Sequence, residues 1–527
     1  MDRRVVQNGR VSGVTGRPGL KGSAGLPPRD LNLFAAGLPV AAFLTAFFLV
    51  PLVAITRHAG RGGLSTAARV LPFTLGQAAL STVATMFVGL PAAFVLGRYA
   101  FRGRRLVAGL VTAPFVLPTV VVGAALLALG LRPSLPAIVI AHTVFNVAVV
   151  VRTVGPAWTE LDLRLGEAAR TLGASPRRAA AAVTLPLLAP AIGSATAIVF
   201  LFSFTSFGVI RLLGGPAQRT IETEIYRQTA DLLRLDRAAT LALVQLGVVV
   251  VLLGLSGRRS HAQTRLSVEQ RLRARPVLAV IALAPAVVLA VAPLGVLAER
   301  SLRDPGGRGH SLRSWRALAS ASRGSGLVDA PLASVGASLR IGVVAAALAT
   351  VLGVLCALAL AGSRWRILDL VVMAPLGTSA VTLGFGFLVA NPLGLRSRFI
   401  AIPIVHALIG MPFVVRSVVT SLRSIDPHVR EAAASLGASP WRVTRTVDLG
   451  IARRAVLIGS GMAFAVSLGE FGAASFLVRP ATATLPVAIG RLLSRPGSLN
   501  VGQAYALAVI LATLTASVML TLEGLRD

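Results

Sequence analysis

Glu167-Ala-Ala-Arg-Thr-Leu-Gly-Ala-Ser-Pro-Arg-Arg178 returns 264 residues later as Glu431-Ala-Ala-Ala-Ser-Leu-Gly-Ala-Ser-Pro-Trp-Arg442, with nine of the twelve positions identical. The same offset pairs His142 with His406, Arg152 with Arg416, Asp162 with Asp426, Ser203 with Ser467 and Phe207-Gly208 with Phe471-Gly472. Chance does not hold register over such a length, so the chain is an internal duplication. Slightly upstream the offset becomes 261, matching Ala113-Pro114 to Ala374-Pro375 and Gly123 to Gly384, as a short indel produces.

Composition says what the halves are made of. The 527 residues are 55% hydrophobic and 14% charged, more apolar surface than one globular core hides. A bilayer accepts the excess, and about 20 apolar residues at 1.5 Å each cross its core. Twelve such runs occur, at roughly 33–56, 71–97, 106–130, 135–154, 187–210, 238–257, 277–298, 335–361, 367–390, 399–420, 455–478 and 503–522. They are expected to be helices, because lipid offers the backbone no hydrogen bonds. The predicted fold is therefore all-α and polytopic, with about 12 transmembrane helices in two parallel six-helix repeats. The halves fall at 31–257 and 276–527, joined by a basic linker at 258–275. Six crossings per half put both copies of the duplicated motif on one side of the membrane. Residues 1–30, with six basic residues among Gly, Ser and Pro, read as a disordered tail. The first run is long, is followed by Arg57-His58 and shows no A-x-A site, so it reads as a retained span rather than a cleaved signal.

The formal charge is +32, from 52 Lys and Arg against 20 Asp and Glu. Nucleic-acid binding would need those cations gathered on one face, whereas here they are scattered over short loops. With both termini inside, about 31 of them fall on the cytoplasmic side and about 21 outside, the direction of the positive-inside rule. The expected location is a cytoplasmic membrane, crossed many times. Cys356 is the only cysteine and lies in an apolar run, which excludes a disulfide and a thiolate cluster.

Each motif copy reads locally as a helix, a break and a second helix. Gly173 and Gly437 suit the left-handed turn after a helix, Ser175 and Ser439 an N-cap, and Pro176 and Pro440 a first helical turn. The first helix is expected over about 161–172 and its counterpart over about 425–436. The small residues beside Glu167 and Glu431 let another protein approach the backbone; the alternative is an elbow that only links two spans.

At these residues the sequence resembles the permeases of binding-protein-dependent ABC importers of the type I fold, bacterial inner-membrane proteins with an E-A-A, a later glycine and then an L-P. Glu167, Ala168, Ala169, Gly173 and Leu185-Pro186 match in the first half; Glu431, Ala432, Ala433 and Gly437 match in the second, where Leu449-Gly450 replaces L-P. The departure leaves the bending of that copy open. The resemblance implies that each motif is a coupling helix seated in an ABC ATPase subunit, and that an extracytoplasmic solute-binding protein delivers a small-molecule or ion substrate. No cofactor is implied.

The residues themselves argue that the ATPase is another polypeptide. A P-loop needs G-x-x-x-x-G-K-[ST], and the only lysine, Lys21, lies between Leu20 and Gly22. No catalytic or metal-binding motif appears either. A proton-coupled secondary transporter of two parallel halves is the rival class; its second-to-third-span loop usually carries an acid, and Gly97 to Arg105 reads GRYAFRGRR without one.

Ionisable groups inside spans are functional candidates by default. Glu470, in Ser467-Leu-Gly-Glu-Phe-Gly472, stands where the first half has Ser206; it either faces Ser206 across the repeat interface or is solvated at the end of its span. His142 and His406 are pathway or packing residues, with Asn146 a candidate partner for His142. Thr220-Ile-Glu-Thr-Glu-Ile-Tyr226 is expected on the outer side and is similar to the corresponding loop of thiamine importer permeases, with ferric-iron importer permeases the nearest alternative. Both cargoes are cationic, which Glu222, Glu224 and Glu470 suit, offset by Arg211, Arg219 and Arg227.

Overall fold

A computed structural model of the chain describes residues 37–257, 272–273, 276–307, 309–321, 324–361, 372–375, 377–397, 400–478 and 483–525. The tail at 1–30, most of the linker and part of the ninth run lie outside them. Among the described residues ten helices are long and apolar enough to cross a bilayer: Gly37–His58, Gly62–Arg98, Leu135–Glu160, Pro176–Phe204, Leu235–Gly254, Ala279–Ser301, Ala333–Ala361, Ala401–Arg423, Pro440–Gly469 and Ser498–Gly524. All ten coincide with expected runs. The third run differs, because Arg104–Phe115 and Thr119–Ala128 meet at 100°. Pro118 sits at that corner with φ −57° and ψ 140°; it has no N–H to donate and stands outside the helical region, so a straight helix cannot pass. The ninth run is represented by Ala380–Ala390, which Ser379 caps through the N–H groups of Val381 and Thr382 at 3.1 and 3.4 Å.

The duplication is visible in atomic contacts. The Ile221 N–H donates to the Thr74 hydroxyl at 3.1 Å, and the Leu485 N–H donates to the Ser338 hydroxyl at 2.7 Å. A Cβ on Gly89 would stand 2.8 Å from Val150 Cβ, and one on Gly353 would stand 2.7 Å from Val414 Cβ. Each of these positions is displaced by 264 residues from its twin. Glycine at both crossings lets the backbones approach closely enough for packing to hold helices together where lipid supplies no hydrophobic drive.

The halves interlock. Val40, Phe43, Leu44 and Phe48 of the first span share a core with Leu352, Val405 and Leu408 of the second half, and Phe47 stacks on Phe387 at 5.9 Å between ring centroids. Conversely Leu283 and Ala286, on the first span of the second half, pack with Ala92, Val147 and Val199.

Both motif copies end on one face. Arg98, closing its helix, donates to the Leu161 carbonyl at 3.2 Å, beside the first motif. Tyr99–Ala100 pairs in parallel with Leu272–Arg273 of the linker, the one small strand pair in an otherwise helical molecule among the described residues. From that face helix Pro276–Ser301 departs and Ala333–Ala361 returns. Arg423 then donates to the Leu360 carbonyl at 3.4 Å, beside the second motif.

Candidate functional site

The two elbows are built alike. Asp162 accepts from the Arg164 N–H and Asp426 from the His428 N–H, both at 2.9 Å, starting helices Leu163–Thr171 and Pro427–Ser435. Each helix stops at a glycine in the left-handed region, Gly173 at φ +86° and Gly437 at φ +82°. The closing bonds run from Gly173 to the Arg170 carbonyl and from Ala174 to the Ala169 carbonyl, both 3.0 Å; in the second copy Gly437 bonds Ala434 at 2.9 Å and Ala438 bonds Ala433 at 3.1 Å. Ser175 and Ser439 then cap the next helix through Arg178 and Arg442.

The sequence predicts a short, separate helix after each cap. Instead that helix runs into the next span through one wide turn of π-helix, Ala180–Thr184 in the first half and Thr444–Asp448 in the second. A π turn inserts one residue into the ladder and rotates the helix beyond it. Leu185-Pro186 and Leu449-Gly450 occupy the same place immediately after that turn, so the missing proline leaves the second elbow bent as the first.

Glu167, Ala168, Glu431 and Ala432 are exposed, Ala169 and Ala433 half-buried. Glu167, Arg170, Thr171 and Gly173 through Pro176 line an open groove of about 570 Å³. At the tips Leu172 is 88% and Leu436 90% exposed, the same bare apolar side chain at the same position of each copy. The copies differ in one respect that sequence reasoning missed. Arg430 donates to Asp448 at 2.7 Å and to the Leu422 carbonyl at 2.9 Å, tying the second elbow to its own span. Gly166 and Thr184 stand at those positions in the first copy, which has no such tie. The spacing of 18 residues crosses an elbow, so no local periodicity signals it.

Ser206 and Glu470 lie next to a contact between the halves, Phe207 against Phe471. Glu470 is 8% exposed, which excludes a solvated carboxylate. It accepts from the Ala473 and Ala474 N–H groups at 2.9 Å each, and His406 Nε2 stands 3.2 Å from its Oε2. His406 Nδ1 lies 2.8 Å from the Ser467 hydroxyl. Glu470 is thus engaged within its own half. Ser206 is buried in the break between Pro176–Phe204 and Gly208–Leu213. Contact between the halves here is aromatic: Phe207 and Phe471 lie 5.3 Å apart between centroids, and Tyr226 meets Phe476 edge-on at 5.4 Å.

His142 takes a different partner from the one expected. Its Nδ1 lies 3.0 Å from the Ser81 hydroxyl on the neighbouring span, while Asn146 donates to Ser203 at 3.4 Å. Both side chains are buried among neighbouring spans of the first half, and tertiary geometry decides which hydroxyl each meets. Glu222 and Glu224 are both buried on the short helix Ile221–Tyr226. Glu224 accepts from Arg227 at 3.1 Å and from Gln228 at 2.7 Å; Glu222 accepts from Gln245 of the next span.

Comparison with known proteins places these features in one family. A family model described as binding-protein-dependent transport system inner membrane component matches residues 85–264 and again 349–524. A Salmonella typhimurium protein named as a 2-aminoethylphosphonate transport system permease is 33% identical over 195 residues, 36% of this chain and 72% of its own length. The thiamine transport system permease of Brucella abortus is 26% identical over 545 residues, 94% of this chain and 96% of its own. A solved bacterial ABC transporter involved in alginate import is 21% identical with a TM-score of 0.38, covering 44% of this chain and 97% of that one. Matched once in each half, the chain belongs to the inner-membrane permeases of binding-protein-dependent ABC importers.

Proposed function

We propose that this permease carries a small organic cation, thiamine or a thiamine-like solute, from a binding protein into the cytoplasm by alternating access. The observation that carries the reading is the end-to-end likeness to a thiamine permease, over 94% of this chain and 96% of that one, whereas the 2-aminoethylphosphonate relative matches only 36% of it. Three buried carboxylates, Glu222, Glu224 and Glu470, favour a positively charged cargo over an anionic one. A ferric-iron importer is the second reading, supported by the same carboxylates.

The energy comes from a separate ATPase, as in the family. Glu167, Ala168, Ala169, Gly173 and Pro186 in the first elbow, and Glu431, Ala432, Ala433 and Gly437 in the second, form the two seats for a pair of ATPase subunits. Leu172 and Leu436, bare at the tips, fill apolar pockets in that partner. The test is uptake of radiolabelled thiamine by liposomes holding the permease with its ATPase and binding protein. ATP-dependent accumulation insensitive to a proton ionophore is expected. Accumulation of chelated ferric iron alone would move the assignment to the second reading, and uptake that collapses with the proton gradient would remove the chain from ATP-driven transport.

A further inference from the structure

The scaffold is duplicated but its chemistry is not. Helix Ile221–Tyr226 and its twin Leu485–Leu493 are anchored alike, by Thr74 and Ser338. Yet Glu222 corresponds to Pro486 and Gln245 to Val509, so this carboxylate–amide pair, which joins the short helix to the next span, has no twin in the second half.

That pair is incompletely satisfied. Glu222 is fully buried and Gln245 1% exposed. The Gln245 amide donates to Glu222 Oε1, the only polarity possible toward an ionised carboxylate, which accepts and cannot donate. Two acceptor oxygens are left without a partner, Glu222 Oε2 and Gln245 Oε1. The groups acting on Glu222 are the Gln245 amide from its own half and, from the other half, the Ser379 hydroxyl and the Glu470 carboxylate; none is a cation. Glu224, two residues away, already has Arg227 at 3.1 Å, and Glu470 already has His406 and two backbone N–H groups. A buried carboxylate without a counter-charge is unfavourable, so the group takes up either a proton or a visiting cation.

We propose that Glu222, backed by Gln245 and Ser379 and facing Glu470, is the single site that takes the positively charged group of the cargo as it passes between the halves. The assignment rests on the importer reading and on a cationic cargo, without requiring that the cargo be thiamine. One such site per fused chain fits one cargo ion per cycle, and its two unpartnered acceptor oxygens select a ligand that brings positive charge or N–H donors and no anionic group.

The test uses the full chain in lipid nanodiscs, with thiamine and choline as cationic probes and maltose as the uncharged one. Without ligand, Glu222→Gln is expected to melt at or above the wild-type temperature, since an unpaired buried charge has been removed. A cationic probe at saturating concentration should raise the wild-type Tm by about 2–4 °C, leave Glu222→Gln unmoved, and retain part of the shift in Glu222→Asp. In the reconstituted importer, Glu222→Gln should raise the KM for uptake at least tenfold. A choline shift without a thiamine shift would retire the thiamine reading while supporting the Glu222 site. A Glu222→Gln protein that melts below wild type, equal cation shifts in the two proteins, or no cation shift in the wild type would overturn the proposal.

Discussion

Glu470 shows how a single side chain can look like a transport residue and be a structural one as well. Its two oxygens accept the N–H groups that open helix Gly472–Leu477, and the same carboxylate faces His406. Its counterpart Ser206 has no carboxylate to offer. Glu470→Ser should therefore leave two backbone donors and a histidine unmet, at about 1–3 kcal/mol per buried group. Scanning fluorimetry of the full chain should read this as a Tm several degrees lower, with Glu470→Gln closer to wild type because one acceptor oxygen remains. An unchanged melting point for Glu470→Ser would mean that water reaches the site. Gly173 tests a different kind of single-residue demand. A Cβ there meets nothing within 4 Å, yet φ is +86°, so Gly173→Val is penalised by backbone conformation alone, by at least about 1–2 kcal/mol. The expected result is an inserted protein whose ATPase partner still hydrolyses ATP while uptake falls at least tenfold; normal uptake would show that the turn is not needed for coupling.

At the scale of elements, much of each elbow was legible because it is local. Glycine for the left-handed turn, serine for the cap and proline for the next turn each act within four residues, and Gly173, Ser175 and Pro176 do in space what their types dictate. The π turn was not legible: Ala180 to Thr184 reads Ala-Ala-Ala-Val-Thr, a sequence with no preference that separates α from π. Its twin Thr-Arg-Thr-Val-Asp shares only the valine, so the turn is imposed by what the elbow packs against. The 100° corner at Pro118 was hidden for another reason, since an apolar run is equally apolar straight or bent. Given the shared π turn, Pro186→Gly, which imports what the second half already has at Gly450, should transport within twofold of wild type; a larger loss would show that the proline shapes the first elbow. The tie between Arg430 and Asp448 predicts the opposite for its own half. Arg430→Ala removes one partner of an ion pair whose side chains are 18% and 10% exposed, and about 1–2 kcal/mol should be lost locally once solvent screening is allowed for. Amide exchange over 427–435 should rise toward that of 163–171, and equal protection before and after would dismiss the tie.

The proposed coupling makes one demand on the whole molecule that no single half can meet: both elbows must present the same face to the ATPase. The sequence implied this only through parity, since an even number of crossings returns the chain to the side it left. Parity fails if any one run is miscounted, and the third run of the first half is the one that a bent corner makes doubtful. The structure reaches the same conclusion by a shorter route, through Tyr99 paired with Leu272, one helix out, one helix back, and Arg423 on Leu360. The first span of each half packs into the core of the other half, so the two elbows are held by interlocked cores. Cys356, the only cysteine in the sequence, is buried, so the chain nearly supplies its own cysteine-free background. Leu172→Cys and Leu436→Cys, placed at the exposed tips in a Cys356→Ala protein, should react equally with a membrane-impermeant maleimide in inside-out vesicles and fail to react in right-side-out ones. Addition of the ATPase should protect both by at least fivefold if the tips are its seats. Labelling of the two tips from opposite sides would break the parallel arrangement, and with it every argument that pairs one half with the other.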